Sequence, residues 1–257
     1  MPICKLCKSD TKLLNKSHII PDFYYRECEL YDQIHQLKMM KIDEKTGNLI
    51  QIKKQNTGIY DKQILCLTCD NELLGNLESY LRPFFFGGPI GIVGNPDFKK
   101  YIDKNGRKYI QITNISYMKA KLGLLSILWR ASISNNEFFK PVKLDSTTQE
   151  LLRLMLLNKD PKEINVLPTV CLSILGQNQS FKQVIAAPRL LNHSHGSGYI
   201  FLMSGIFLLF YVSHNFTDEQ LEKNSISSKN HMIIHEIDDG DGLAWILSYF
   251  GLKSENK

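Results

Sequence analysis

Apolar residues are sparse and irregularly spaced over the first 82 positions and become dense and periodic beyond them. The run ISYMKAKLGLLSILWRASI (115–133) is apolar around most of a helical circumference, the pattern of a helix enclosed by a core, and Ser126 and Arg130 are its polar interruptions. DSTTQELLRLMLLNKDP (145–161) carries a capping box from Ser146 to Gln149, an apolar stripe and a stop before Pro161, and predicts a second helix. TDEQLEK repeats the capping pattern from Thr217 to Gln220 and begins a short surface helix. Strand-like runs cover 108–113, 166–175, 183–187 and 232–237. The segment YIFLMSGIFLLFYVS (199–213) is shorter than the roughly 20 residues a bilayer span needs. Ser204-Gly205 interrupts it, so it reads as two buried strands joined by a tight turn rather than as a membrane segment.

These elements predict an α+β protein in two parts: a polar, cysteine-bearing region over residues 1–82 and a larger mixed α+β domain over 83–257. The boundary is placed at RPFFFGGPIG, where a helix-ending proline, an aromatic run and glycines suggest a connection packed on a core. Between Pro21 and Gly58, FYYRECELYDQIHQLKMM suggests a helix and DEKTGN a turn, an inserted segment suited to a lid or a partner surface. No internal repeat or low-complexity tract interrupts the chain. With 43% apolar residues it can bury a substantial core, which excludes a disordered chain.

The net charge of +5 matters less than its distribution. Residues 83–160 hold 12 basic and 6 acidic side chains, whereas the flanking regions are nearly balanced. Lys99, Lys100, Lys104, Arg107 and Lys108, followed by Lys119 and Lys121, gather beside Tyr101 and Tyr109. Such a segment can hold a phosphate backbone by charge and stacking, or it can simply be a solvated hairpin.

The cysteines change the picture most. Cys4 and Cys7 form one Cys-x-x-Cys pair and Cys66 and Cys69 a second. The turn between paired cysteines brings both sulfurs to one side, and two such pairs supply the corners of a tetrahedral thiolate zinc site. The opening MPICKLCK has no apolar run of signal-peptide length, so reduced cysteines in the cytoplasm are expected. Cys28 and Cys171 stand alone and read as core residues. A knuckle, the strand-like SHII, and the helical spacing of DNELLGNLESYL after the second pair describe a treble-clef zinc finger, with Asp70 placed to cap its helix.

CKLC, SHIIP and LCLTC together resemble the HNH branch of the ββα-metal nucleases, over roughly residues 1 to 80. The resemblance implies that His18, in SHIIP, is a general base acting on water, and that Asp61 orients it. It also implies a magnesium or manganese ion with Asp70 as ligand, in addition to the structural zinc. The sequence departs from the family pattern at two positions: Ser17 stands where an acidic residue or histidine is usual, and Asp70 where a histidine is usual. Asp22, Asn71 and Glu72 are further candidates for the metal shell.

The implied function is phosphodiester hydrolysis in nucleic acid, DNA before RNA, with the basic segment holding the backbone and no membrane partner. By the same resemblance, such a chain would serve in phage defence or a mobile element, alone, as a homo-oligomer or with a partner protein. The alternative is a non-catalytic zinc-finger scaffold that binds nucleic acid or a protein. His193 and His195, and His231 and His235, have no cysteine or carboxylate at metal spacing and read as loop or strand-end residues.

Overall fold

In a computed structural model that describes residues 2–42, 49–86, 96–176 and 179–237, together with 244 and 248, the chain is an α+β protein, with five α-helices between residues 22 and 224 among the described residues. The N-terminal region contains β1 (Ser17–His18), α1 (Asp22–Glu27), β2 (Leu37–Ile42), β3 (Leu49–Gln55) and β4 (Tyr60–Asp61). A π-helical stretch (Thr68–Leu74) then runs directly into α2 (Gly75–Phe86). Next come β5 (Asp97–Ile102), β6 (Lys108–Thr113), α3 (Tyr117–Ile133), α4 (Ser146–Asn158) and β7 (Thr169–Ser173). The chain continues through β8 (Ile185–His193), β9 (Gly196–Met203), β10 (Ile206–His214), α5 (Asp218–Asn224), β11 (Ile226–Ser227) and β12 (His231–Glu236).

The second half builds an eight-stranded sheet in the order β5-β6-β12-β7-β10-β9-β8, with β11 paired to β12. Every pairing is antiparallel except that of β12 with β7. The apolar run 199–213 forms the β9–β10 hairpin, and its turn residues Ser204 and Gly205 take φ values of 57° and 78°. A Cβ on Gly205 would lie 2.2 Å from Leu175 Cδ2, so both backbone and space require glycine there. Among the described residues no helix is long and apolar enough to cross a membrane.

The enclosed helix is α3, buried from Ala120 to Ala131. It packs against α2 and α4, and the approach to α2 is close because a Cβ on Gly123 would lie 2.7 Å from Leu81 Cδ1. Ser116 caps α3, accepting from the Lys119 amide. α4 is capped by Asp145 rather than by Ser146, because the aspartate accepts from the Thr148 amide at 2.9 Å. α5 has the expected reciprocal capping box of Thr217 and Gln220.

Three expectations for the first part change. Pro83 does not end its helix: α2 continues through it to Phe86. There Phe84 is buried, and Phe85 and Phe86 ring-pack on Tyr24 of α1, contacts that offset the lost backbone hydrogen bond. A boundary at 82/83 therefore falls inside a helix, and one core of buried residues runs from Cys4 to Ile234 without a break. The helix expected from FYYRECELYDQIHQLKMM is confined to α1, since Glu29 and His35 adopt left-handed backbone and the chain then enters β2. The DEKTGN turn and residues 87–91 of the boundary run lie outside the described residues.

Candidate functional site

The local turns after Pro2 and before Asp70 bring the four cysteines together. Cys4, Cys7, Cys66 and Cys69 place their sulfurs within 4.8 Å of one another, with Cys7 and Cys66 at 4.0 Å. A tetrahedron with metal–sulfur bonds of about 2.3 Å has sulfur–sulfur edges of about 3.8 Å, so the cluster could hold a metal ion such as zinc with little rearrangement. The Cys66 amide donates to Cys4 Sγ at 3.4 Å, and the Lys8 amide closes the first knuckle on the Cys4 carbonyl. Burial raises the Cys69 thiol far above its usual range, and the neighbouring sulfurs add to the rise. Against the cost of desolvation, hydrogen bonds from Ser9, Cys4 and Cys69 bring Cys7 down to about 6. Cys7 thus ionises more readily than the buried Cys69, and a bound dication would favour the thiolate at both. Cys28 and Cys171 are buried away from this cluster, as expected.

A pocket of about 380 Å³ is lined by His18, Asp22, Asp70, which follows Cys69, Glu78 and Arg130, among others. β1 supplies the histidine, α1 supplies Asp22, and the helix that begins at the second cysteine pair supplies Asp70 and Glu78. Arg130 comes from α3, and with 1% of its side chain exposed it is buried as deeply as the core leucines. Its guanidinium donates to the His18 carbonyl at 2.7 Å and pairs with Glu78 at 2.5 Å. His18 Nε2 lies 2.8 Å from Thr57 Oγ1 and 3.9 Å from Asp22 Oδ1, contacts that fix the imidazole's orientation. Asp22 is itself held by Arg26 at 2.7 Å and by the Tyr31 hydroxyl at 2.8 Å.

Burial lowers the His18 pKa below 6.5 even though Asp22 and Glu78 pull it up. The ring is therefore neutral at pH 7 and can accept a proton. Burial pushes the Asp70 carboxyl up to about 6; Arg130 opposes this and Glu78 adds to it. The Ser17 hydroxyl is fully buried and makes no well-formed hydrogen bond, yet it lies near enough to Asp70 to favour the charged carboxylate.

No family model, no curated protein and no solved structure matches this chain. Its chemistry is accordingly read from its own residues.

Of the residues singled out in the sequence, the four cysteines meet, and His18 and Asp70 share one pocket with Asp22 and Asn71. Asp61 does not orient the imidazole. In the β1–β4 ribbon Asp61 is opposite Ser17 and Tyr60 is opposite His18, so the carboxylate and the ring project to opposite faces. The Asp61 carboxylate accepts instead from Ser134 Oγ and the Asn135 amide, closing the loop after α3. Thr57 occupies the place beside the ring, with no signal in the sequence to mark it. Glu78 was likewise missed, whereas Arg130 was visible as a lone cation in an apolar helix. Glu72 is exposed and does not line the pocket.

Lys99, Lys100, Lys104, Arg107 and Lys108 are exposed on the β5–β6 hairpin at the sheet edge, with Lys99 paired to Asp97 at 3.1 Å. Lys121 does not belong with them. It is 2% exposed and donates to the Glu163 carbonyl and the Tyr117 hydroxyl. Lys119 turns its ammonium over the Tyr80 ring. The hairpin lines a second pocket, of about 880 Å³, with α5 and β12. His231 and His235 lie in that pocket, with His231 bonded to the Glu222 carbonyl. His193 bonds to the Tyr211 hydroxyl. Among the described residues, the four cysteines are the one group of three or more such ligands that converge.

Proposed function

We propose that this chain is a metal-dependent, HNH-like endonuclease in which a zinc-stapled treble clef presents His18 and Asp70 to a phosphodiester, DNA before RNA. The supporting observation is their convergence: the histidine of SHIIP and the carboxylate that follows the fourth cysteine line one pocket. His18 is held at Nε2 by Thr57 and kept neutral by burial, which suits it to take a proton from an attacking water. The carboxylates of Asp22, Asp70 and Glu78 form an oxygen-rich wall suited to magnesium or manganese. Three of them do not converge tightly, and such ions are commonly bound by one or two carboxylates together with substrate phosphate oxygens. Asp70, backed by the unpartnered Ser17 hydroxyl, is the residue that would hold the ion, which would supply positive charge to the developing phosphorane. Arg130 fixes the His18 backbone, and the β5–β6 lysines supply a distant hold on the phosphate backbone. A role in phage defence rests on the resemblance alone.

The test is hydrolysis of plasmid, linear DNA and RNA with magnesium, manganese or chelator, by wild type and His18→Ala. Removal of a general base should cost roughly 10²- to 10⁴-fold in rate, with zinc content unchanged. Wild-type cleavage should rise with pH through a value below 6.5 and then level off, because protonated His18 cannot act as base. A wild type that cuts nothing with any metal would establish the scaffold reading instead. Equal cleavage by His18→Ala would move the active site elsewhere.

A further inference from the structure

The ribbon of β2 and β3 is a two-stranded sheet that joins no other named strand among the described residues. Two strands alone are marginally stable in water, and this ribbon is anchored at its root, where Leu37 is buried in the core and Met39 packs against it. Its strands, LKMMKI and LIQIKKQ, contain four lysines, no acidic residue and no aromatic residue, and the sequence between them adds Asp43, Glu44 and Lys45, for a net charge of +3 over 37–55. Lys38 is directly opposite Lys54, and Lys53 is opposite Met39. Like charges facing each other across a pair of strands are destabilising. Lys38, Lys53 and Lys54 are all exposed, and none pairs with a carboxylate among the described residues. Lys38 and Lys54 share one face and Lys53 occupies the other, so positive charge is presented on both faces. Beside them Ile52 is 53% exposed.

The root of this ribbon is built into the wall of the His18 pocket. Thr57, just past the end of β3, contacts His18 Nε2. Tyr31, shortly before β2, donates to Asp22 and accepts from the Gly58 amide at 2.7 Å. A Cβ on Gly58 would lie 2.4 Å from the Tyr25 ring, so the exit of the ribbon is packed tightly against α1. Whatever anion the lysines hold is therefore held next to the pocket.

We infer that the β2–β3 ribbon is an arm that lies in the major groove of duplex DNA and leads the phosphate backbone to the His18 pocket. This rests on the phosphodiester reading above and specifies its substrate. The major groove of B-form DNA, about 12 Å wide, admits a two-stranded ribbon, and lysines on both faces of the ribbon then meet the phosphates on both sides. The deep, narrow major groove of duplex RNA does not admit it. Single strands are held largely by stacking on aromatic side chains, and the ribbon has none.

Fluorescence anisotropy over a series of salt concentrations tests the arm, using the full-length, zinc-loaded chain with duplex DNA, duplex RNA and single-stranded DNA of one sequence. The variant Lys38→Gln/Lys53→Gln/Lys54→Gln is compared with Lys140→Gln/Lys159→Gln/Lys223→Gln, which removes the same charge from exposed sites elsewhere. Wild type should prefer duplex DNA. The arm variant should lower the slope of log affinity against log salt by about 2.7, at about 0.9 per lost phosphate contact, and the control variant should not. An unchanged slope in the arm variant, equal affinity for duplex RNA or single strands, or no binding of nucleic acid by wild type would each overturn the arm. Cleavage measured in the same samples with magnesium and manganese separates the two claims. A wild type that binds through the arm and never cuts refutes hydrolysis alone, whereas one that cuts while the arm variant keeps its slope refutes the arm alone.

Discussion

Replacing Arg130 with methionine removes a guanidinium that ties three elements together: it donates to the His18 carbonyl of β1, pairs with Glu78 of α2 and bonds back to Ser126 of α3. Methionine restores much of the apolar stem, so the loss is chiefly electrostatic. Breaking a buried pair by removing one partner costs about 3–5 kcal/mol. Because Glu78 keeps 21% of its side chain exposed and can turn partly to water, the low end applies, about 3 kcal/mol. For a chain of this size that corresponds to a fall in Tm of about 6–12 °C. Thermal unfolding of the zinc-loaded protein reads it directly. Glu78→Gln should also destabilise, and the double variant should lose at least about 1 kcal/mol less than the sum, since the two side chains are in contact. Arg130→Met with a Tm within about 2 °C of wild type would show that Glu78 and the His18 carbonyl find water as easily as they find the guanidinium.

Two further outcomes follow from buried groups. Purified protein should carry about one tightly held zinc per chain by elemental analysis, and Cys66→Ser should lose it and abolish the cooperative unfolding of the N-terminal region; metal-replete protein without zinc would refute the site. Burial lowers the Lys121 amine to about 7, against the pull of Glu163 and Asp160, while the unfolded amine titrates near 10.5. Between those values the unfolded chain binds the extra proton, so this group adds stability as pH rises through the window and removes it as pH falls. Lys121→Met should therefore have the higher Tm at pH 7.5, with the difference from wild type narrowing toward pH 10; a constant difference would mean that the ammonium is stabilised in place by the Glu163 carbonyl.

What the sequence revealed was what local chemistry decides. The Ser204-Gly205 hairpin was legible because a two-residue turn needs left-handed backbone at both positions. The metal cluster was legible because each Cys-x-x-Cys turn sets its own sulfur separation. The 166–175 run shrinks to Thr169–Ser173 because Leu167 adopts φ 51° and Pro168 follows, a break no apolar pattern reports. In the opposite direction, β8 extends well past 187 although Pro188 lies within it, because β8 is an edge strand and Pro188 need not donate. β2 was misread as helix because its partner β3 lies beyond an intervening turn, and pairing at a distance leaves no local trace. Glu78 escaped for the same reason, although Arg130 stood out as a cation in an apolar helix: their meeting is made by the packing of α2 on α3, which depends on Gly123.

The position of that meeting explains how the two parts of the sequence share the larger of two hydrophobic clusters. The N-terminal region pairs much of its own backbone, as in the bonds from Lys5 to Ile64 and from Ile19 to Ile59, and helices of the second half complete it at two carbonyls. Arg153 of α4 donates to the Leu6 carbonyl in the first cysteine knuckle, and Lys5 donates from that knuckle to the Ile133 carbonyl at the end of α3. Asp61 accepts from Ser134 and Asn135, and the His18 carbonyl accepts from Arg130. Each tie joins a backbone or carboxylate oxygen to a donor from the other part, so each part completes hydrogen bonds that the other leaves open. The pocket sits on this seam. Its histidine and carboxylates come from the cysteine-stapled region, and its buried cation comes from the helix at the centre of the larger fold. The orientation of His18 is thus set from both sides, by Thr57 at its ring and by α3 at its carbonyl.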